Sequence, residues 1–213
     1  MKNNFVRTGN LIVLSGPSGV GKSTLVNAVR CALPDLEFSI SCTTRKPRAG
    51  EVHGREYYFL SPEEFEKRSR AGGFIEEAQV FANRYGTLKS EVLERVRRGA
   101  DVVLDIDVQG ASKIRAAAEQ DAELADAAVF VLIAPPSLDL LEKRLRNRAT
   151  DSEEQLALRI AAAERELASF RLYDYIIVND DLSAAANELE MLFRSFRLRT
   201  RLIPEGKTPW LTK

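Results

Sequence analysis

The apolar run Leu11-Ile12-Val13-Leu14, followed by Gly16-Pro17-Ser18-Gly19-Val20-Gly21-Lys22-Ser23-Thr24, constrains this chain more than any other segment. It reads as a buried strand, a glycine turn of the pattern G-x-x-x-x-G-K-S, and then a helix. Glycines let the backbone turn sharply, so that successive N–H groups point inward at an anion. The following helix adds its unpaired N–H groups and the positive end of its dipole. This is the context of a phosphate-binding P-loop. Lys22 would supply charge at the β- and γ-phosphates of a nucleotide, and Ser23 a hydroxyl to Mg²⁺. A chance match is the alternative, and the correct flanks argue against it.

The rest of the chain agrees with a nucleotide-binding α/β protein. Strand-like runs recur at Leu11–Leu14, Val102–Ile106, Val129–Ile133 and Tyr175–Val178. Helical patterns separate them at Lys22–Leu33, Gly110–Ala118, Leu138–Arg146, Ser152–Ser169 and Leu182–Leu202. Continuous apolar strands alternating with helices imply a parallel sheet covered on both faces. Ser137 is placed to cap the helix from Leu138, and Asp151 or Ser152 the long one after it. Between Ser41 and about Arg98 the rhythm breaks into short alternating segments with glycines and aromatics, which predicts a small mixed-sheet insertion. Residues Arg144 to Asp151 form a second polar, arginine-rich stretch, and Pro204 to Lys213 read as a loose tail.

Composition narrows the chemistry. The 31 Lys and Arg balance 31 Asp and Glu, so net charge gives no push toward nucleic acid or membrane. No stretch is long and apolar enough for a signal or membrane helix, so a cytoplasmic location without membrane contact is expected. Cys31 and Cys42 have no C-x-x-C spacing and read as small packing residues in a reducing compartment. The single histidine, His53, lies in a glycine-bounded loop; any two-histidine mechanism is excluded, and this Cys and His inventory argues against a zinc site. Arg194, Arg197, Arg199 and Arg201 read as a solvated helix end, helped by the dipole, and no nucleic-acid partner is expected.

Arg45 and Arg48 are two guanidinium forks close in sequence, preceded by hydroxyls and followed by the phenol of Tyr57. Such a set suits a phosphate dianion, against the alternative of a solvated basic loop. Asp105 ends a strand, where an acid would reach the metal region beside a P-loop; Asp107, two residues on, would share its face by strand alternation. Glu76 taken alone reads as an ordinary surface acid at a strand end.

With these residues assembled, the chain resembles guanylate kinases. That family pairs the P-loop with S-x-T-T-R-x-P-R-x-G-E-x-x-G-x-x-Y, and both stand here in order, the second at Ser41 to Tyr57. Further blocks match at Phe74-Ile75-Glu76, Tyr85-Gly86-Thr87, Leu104 to Gly110, Arg148 to Glu154 and Val178 to Asp181, so the resemblance spans about residues 10 to 200. It implies that Arg45, Arg48, Tyr57 and Tyr85 bind the phosphate of GMP, and that Glu76, Ser41 and Thr87 read guanine. Asp107 would lie beside the nucleotide, and Ser23 and Asp105 in the Mg²⁺ region. Arg148 and Arg159 would be lid arginines closing on ATP phosphates, and Asn179 the adenine-side contact. Lys22, Arg45, Arg148 and Arg159 would carry the catalytic charge. Three departures stand out: Arg84 in place of the usual tyrosine before Tyr85, Glu77 where an aromatic or histidine is common, and Ala149 at the lid glycine. They bear on loop rigidity and rate and remove no ligand.

The expected fold is therefore α/β: a P-loop NTPase-type parallel sheet with helices on both faces, a small mixed α/β GMP-binding insertion and a short helical lid. The expected single domain, 1–213, has its core at about 1–40, 99–142 and 161–205, its insertion at 41–98 and its lid at 143–160. The expected reaction is transfer of the γ-phosphoryl of MgATP to GMP, and to dGMP, in purine nucleotide metabolism and GTP supply. A phosphate oxygen of GMP is already ionised, so no general base is needed. Guanine offers donors at N1 and N2, which one carboxylate can accept together; adenine would leave Glu76 poorly paired. A non-catalytic phosphopeptide-binding module of the same fold and a kinase for another phosphorylated substrate remain the alternatives. The intact Gly16–Ser23 loop opposes the first, and Glu76 with Ser41 and Thr87 opposes the second. A homo-oligomer is left open.

Overall fold

The apolar runs Leu11–Leu14 and Val129–Ile133 are buried throughout, as strands covered on both faces by helices are. The run Tyr175–Val178, expected to be covered in the same way, lies at the sheet edge and is exposed at three of its four residues. The computed structural model describes residues 7–80, 82–147, 152–204 and 207. β1 (Leu11–Ser15) runs through the glycine loop into α1 (Lys22–Ala32), followed by β2 (Glu37–Phe38). The segment that breaks the rhythm comprises β3 (Cys42–Thr43), β4 (Tyr58–Phe59), α2 (Pro62–Arg70), β5 (Phe74–Val80) and β6 (Asn83–Leu88), and leads into α3 (Lys89–Arg97). The main sheet resumes with β7 (Val102–Asp105), α4 (Val108–Ala118), α5 (Ala122–Ala127) and β8 (Ala128–Ala134). It closes with α6 (Leu138–Arg146), α7 (Glu153–Ala168), β9 (Tyr175–Val178) and α8 (Leu182–Phe196).

The main sheet is parallel throughout, in the order β2-β7-β1-β8-β9, with β1 at its centre and wholly buried. Successive side chains of a strand point to opposite faces. Ile12 and Leu14 accordingly pack with Leu25 and Val29 of α1 and Leu189 and Phe193 of α8. Leu11 and Val13 pack with Val92, Ile114, Leu124 and Phe130 on the other face, beneath α3, α4 and α5. The second sheet, β4-β3-β6-β5, is mixed: β3 and β4 run parallel, while β6 is antiparallel to both β3 and β5. Among the described residues, no helix is long and apolar enough to cross a membrane.

Several boundaries differ from expectation, each for a local reason. β7 stops at Asp105, and Asp107 leaves the strand to cap α4, its carboxylate accepting from Gly110 N at 2.7 Å. Strand alternation therefore does not relate Asp105 to Asp107. The helix expected to reach Leu202 ends at Phe196, and a 3-10 turn over Thr200–Leu202 follows. This early stop turns Arg197 and Arg199 inward. Arg197 donates to Asp101 at 2.7 Å, and Arg199 to the side chain of Asn10 at 3.0 Å and to the carbonyl of Ala127 at 3.3 Å. The solvated reading of the arginine run is thus corrected for these two, while Arg194 stays outside on Glu190. Cys42 is buried as expected, but Cys31 is exposed and is no packing residue. The long helix α7 takes Ser152 as its cap, with a reciprocal bond from Gln155; the alternative cap Asp151, with Ala149, lies outside the described residues, as does most of the stretch after Pro204.

Candidate active site

The loop from Gly16 to Lys22 connects the carboxyl end of the central strand to the amino end of α1, so the backbone itself supplies the anion cradle. Gly16 is required by crowding: a Cβ there would meet the carbonyl oxygen of Ile133 at 2.3 Å. Gly21 caps α1 at φ 96°, a left-handed conformation, and a Cβ would lie 2.4 Å from the amide of Asn179. Lys22 curls back to donate to Gly16 O at 3.1 Å and lies 3.5 Å from Asp105. Ser18, Ser23 and Thr24 line a cavity of about 340 Å³ with Lys22, and Asp105, Asp107 and Glu166 stand on its wall. Burial, with the nearby charge of Asp107, pushes the Glu166 carboxyl above its ordinary range, against the pull of Lys22.

A second basic cradle lies on the mixed sheet. Arg45 forms a two-pronged pair with Glu51 at 2.9 and 2.8 Å, and the backbone N–H of Arg48 donates to the same carboxylate at 2.7 Å. These bonds hold the Glu51 carboxyl down at about 2, and Glu51, with the Tyr85 hydroxyl, keeps Arg45 firmly protonated. The Arg45 guanidinium lies 5.4 Å from the ring of Tyr57, which meets the Tyr85 ring edge-on at 6.0 Å. The Arg48 residue is exposed beside them. Glu51 belongs to the matched block yet had no assigned role; its signal was an acid within one loop of two arginines.

Glu76 and Thr87 are cross-strand partners in the β5–β6 hairpin, and the Thr87 hydroxyl donates to the Glu76 carboxylate at 2.8 Å. Burial raises the Glu76 carboxyl above its ordinary range, opposed by the Thr87 bond and reinforced by the charge of Asp107. Tyr85 pairs with Ala78, two residues along, so Glu76, Tyr85 and Thr87 occupy one face of the hairpin. Ser41 enters β3 alongside, its carbonyl bonded to Tyr58 N.

On the other side of the loop, Asn179 is buried and its amide donates to Val20 O at 2.7 Å, bracing the P-loop from beneath. Arg144 at the end of α6 donates to the carbonyl of Asn179 at 2.9 Å, and these residues with Gly21 and Thr24 line an adjoining cavity of about 370 Å³. Arg159 sits on the exposed side of α7, and Arg148 lies outside the described residues. Glu166 carried no sequence signal, because acids are common along an amphipathic helix. A further cavity, of about 470 Å³, lies at the amino ends of β8 and β9, where Arg115 pairs with Asp174, away from the P-loop.

A glycine loop at the carboxyl end of the central strand of a parallel sheet, beside an inserted sheet with its own basic cradle, defines a P-loop nucleotide-binding protein. The family model for guanylate kinase matches residues 8–196. A guanylate kinase of Maricaulis maris is 47% identical over 96% of this chain and 89% of its own. That of Carboxydothermus hydrogenoformans is 43% identical over 92% of both. The crystal structure of guanylate kinase from Anaplasma phagocytophilum superposes with a TM-score of 0.69 at 32% identity, covering 93% of this chain and 91% of that one. The chain belongs to the guanylate kinase family.

Proposed function

We propose that this protein transfers the γ-phosphoryl group of ATP to GMP, giving ADP and GDP. The observation that carries the reading is the pairing of two phosphate cradles with a carboxylate suited to guanine. Lys22 and the glycine loop line one cavity, while Arg45, Tyr57 and Tyr85 gather on the mixed sheet that carries Glu76 and Thr87, with Arg48 in the adjoining loop. Residues 41–98 act as the GMP-binding insertion and 143–160 as the lid that brings Arg148 and Arg159 to the ATP phosphates.

The chemical problem is the approach of one anion to another. Lys22 offsets charge on the donor phosphates, and Arg45 and Arg48 orient the acceptor phosphate and offset its charge. The GMP oxygen attacks the γ-phosphorus, the bond to the bridging oxygen of ADP breaks, and no proton need be removed first. Ser23 and Asp105 share one cavity wall and offer hard oxygen donors, which fits Mg²⁺ held mainly by phosphates and water. Mg²⁺ held there would supply further positive charge against the donor phosphates. Closure of the lid and insertion excludes water, which would otherwise divert the γ-phosphoryl to hydrolysis. Asn179, beneath the loop, borders the adenine side. The free cysteines suit a reducing, cytoplasmic setting.

A coupled assay of ADP release with GMP, dGMP, AMP and UMP tests the assignment. GMP should be the preferred acceptor, dGMP should also react, and Lys22→Met should nearly abolish turnover with the fold retained. Preference for AMP or UMP would remove the guanine assignment. Absence of ADP release with every acceptor would favour a binding module.

A further inference from the structure

The two departures from the family pattern in the hairpin, Glu77 and Arg84, touch each other. Arg84 lies opposite Gln79 in the β5–β6 register, so Glu77 is its diagonal neighbour on the same face. This is the face opposite to Glu76, Tyr85 and Thr87. Arg84 donates to Glu77 at 3.0 Å and to Ser69 at 3.2 Å, and the Ser69 hydroxyl donates to the second oxygen of Glu77 at 2.9 Å. The other arm of the guanidinium reaches Glu66 at 2.5 Å, and its central carbon lies 4.5 Å from the centroid of the Phe65 ring. Phe65 is fully buried and stacks on Phe74 at the start of β5. Ser69, Glu66 and Phe65 all belong to α2. Lys113 of α4 donates to the backbone carbonyl of Glu77, tying the same strand to the main sheet's helices.

We infer that Arg84, with Glu77, is a positioning residue for the acceptor nucleotide: it grips the back of the hairpin against α2 and so sets the spacing of Glu76 and Tyr85 on the front. The inference rests on the proposed GMP-kinase reading. Exposed ion pairs contribute little as single contacts, whereas a closed network anchored on a buried ring holds geometry. Glu77 immediately follows Glu76 and Arg84 immediately precedes Tyr85, so a shift in the clamped backbone moves both substrate-facing side chains. Neither clamp residue has to touch substrate.

The test is a double-mutant cycle with Arg84→Met, Glu77→Gln and the pair, read by steady-state kinetics and by calorimetry of GMP binding without ATP. Arg84→Met should raise KM for GMP and weaken GMP binding about fivefold, with KM for ATP and kcat within about twofold of the parent. The double variant should be no worse than Arg84→Met alone, because the same contact is lost. A lowered Tm with unchanged GMP affinity would overturn the inference in favour of a merely structural network. So would equal rises in both KM values, or effects of the two substitutions that multiply. If Arg84→Met does not fold, Arg84→Lys and Glu77→Gln carry the same comparison. Failure of the parent protein to phosphorylate GMP would count against the proposed function, whereas an active parent with unaltered variants would count against the clamp alone.

Discussion

Glu76 is the residue whose chemistry is most exposed to test. Its carboxyl is buried enough to titrate above the ordinary glutamate value of 4.5, yet the proposed guanine contact requires it ionised, so that it accepts from both N–H groups of the base. In the free protein this is a cost. Between pH 4.5 and the raised value the folded state binds more protons than the unfolded one, so the stability contributed by this group falls as pH rises through that window. Glu76→Gln should therefore melt at or above the parent temperature at neutral pH, an advantage that disappears below the unfolded value. The same change should raise KM for GMP about tenfold to a hundredfold and narrow the GMP-to-AMP ratio of kcat/KM. In the parent, KM for GMP should climb as pH falls through the Glu76 transition, and in the variant that acid limb should vanish. Glu51 cannot produce such a limb, because its bonds to Arg45 and Arg48 keep it ionised down to about 2. Arg45→Ala should instead raise KM for GMP at all these pH values, by on the order of 2–5 kcal/mol in apparent binding, with a smaller change for ATP. A larger effect on ATP would mean that the two phosphate cradles have been exchanged.

At the scale of elements, the junction of β1, its loop and α1 depends on an amide that arrives from the far end of the chain. Asn179 follows β9 and satisfies the carbonyl of Val20 from a buried position. Asn179→Ala would leave that carbonyl without its donor, at a cost of about 1–3 kcal/mol. The expected outcome is a raised KM for ATP, with GMP affinity nearly unchanged, measured by varying each substrate in turn; equal effects on both would separate Asn179 from the loop. Such couplings mark the limit of what the sequence shows. The core strands at Leu11–Leu14 and Val129–Ile133 were legible because they are apolar without alternation, as strands covered on both faces are. Tyr175–Val178 reads the same way, yet as the edge strand it is exposed at Tyr175, Ile176 and Val178. The helices beginning at Lys22, Leu138 and Leu182 were legible from their patterning, with Ser137 as a cap signal for the second. β2 and β3, at two residues each, are too short to carry a period, and α5 is a six-residue helix with little face to show. The P-loop and the arginine block stand out locally because their residues are contiguous in sequence. Glu166, Lys113 and the bracing role of Asn179 do not, since each works through a neighbour remote in sequence.

For the molecule as a whole, the network that closes the chain on itself centres on Asp101. This carboxylate is 1% exposed at the start of β7 and accepts from Arg7 at 3.2 and 3.0 Å, from the backbone and side chain of Asn10 at 3.0 and 2.7 Å, and from Arg197 at 2.7 Å. It thereby ties the segment before β1 and the segment after α8 to the strand that resumes the sheet after the insertion. Burial alone would favour the protonated acid, but the bonds and charge of Arg7, with Asn10, outweigh it and leave the carboxyl below the ordinary value of 3.8. A depressed carboxyl contributes its stability above the unfolded value and loses it as pH falls through the folded one. Asp101→Asn presents an amide N–H₂ to donors and strands two guanidiniums. The expected cost is about 3 kcal/mol, less than for a fully enclosed pair because both arginines reach solvent. In a chain of this length that corresponds to a fall in Tm of roughly 10 °C at neutral pH. The deficit should persist down to pH about 4 and shrink below it, as the parent carboxylate itself takes up a proton. Both KM values should stay near those of the parent, because Asp101 lies at the amino ends of the strands and the cavities around the glycine loop, proposed to take ATP, lie at the carboxyl ends. Thermal melts of both proteins across pH, with kinetics at neutral pH, decide the matter. A Tm within about 2 °C of the parent would show that the hub is dispensable, and altered KM values at unchanged Tm would place Asp101 in the substrate machinery instead.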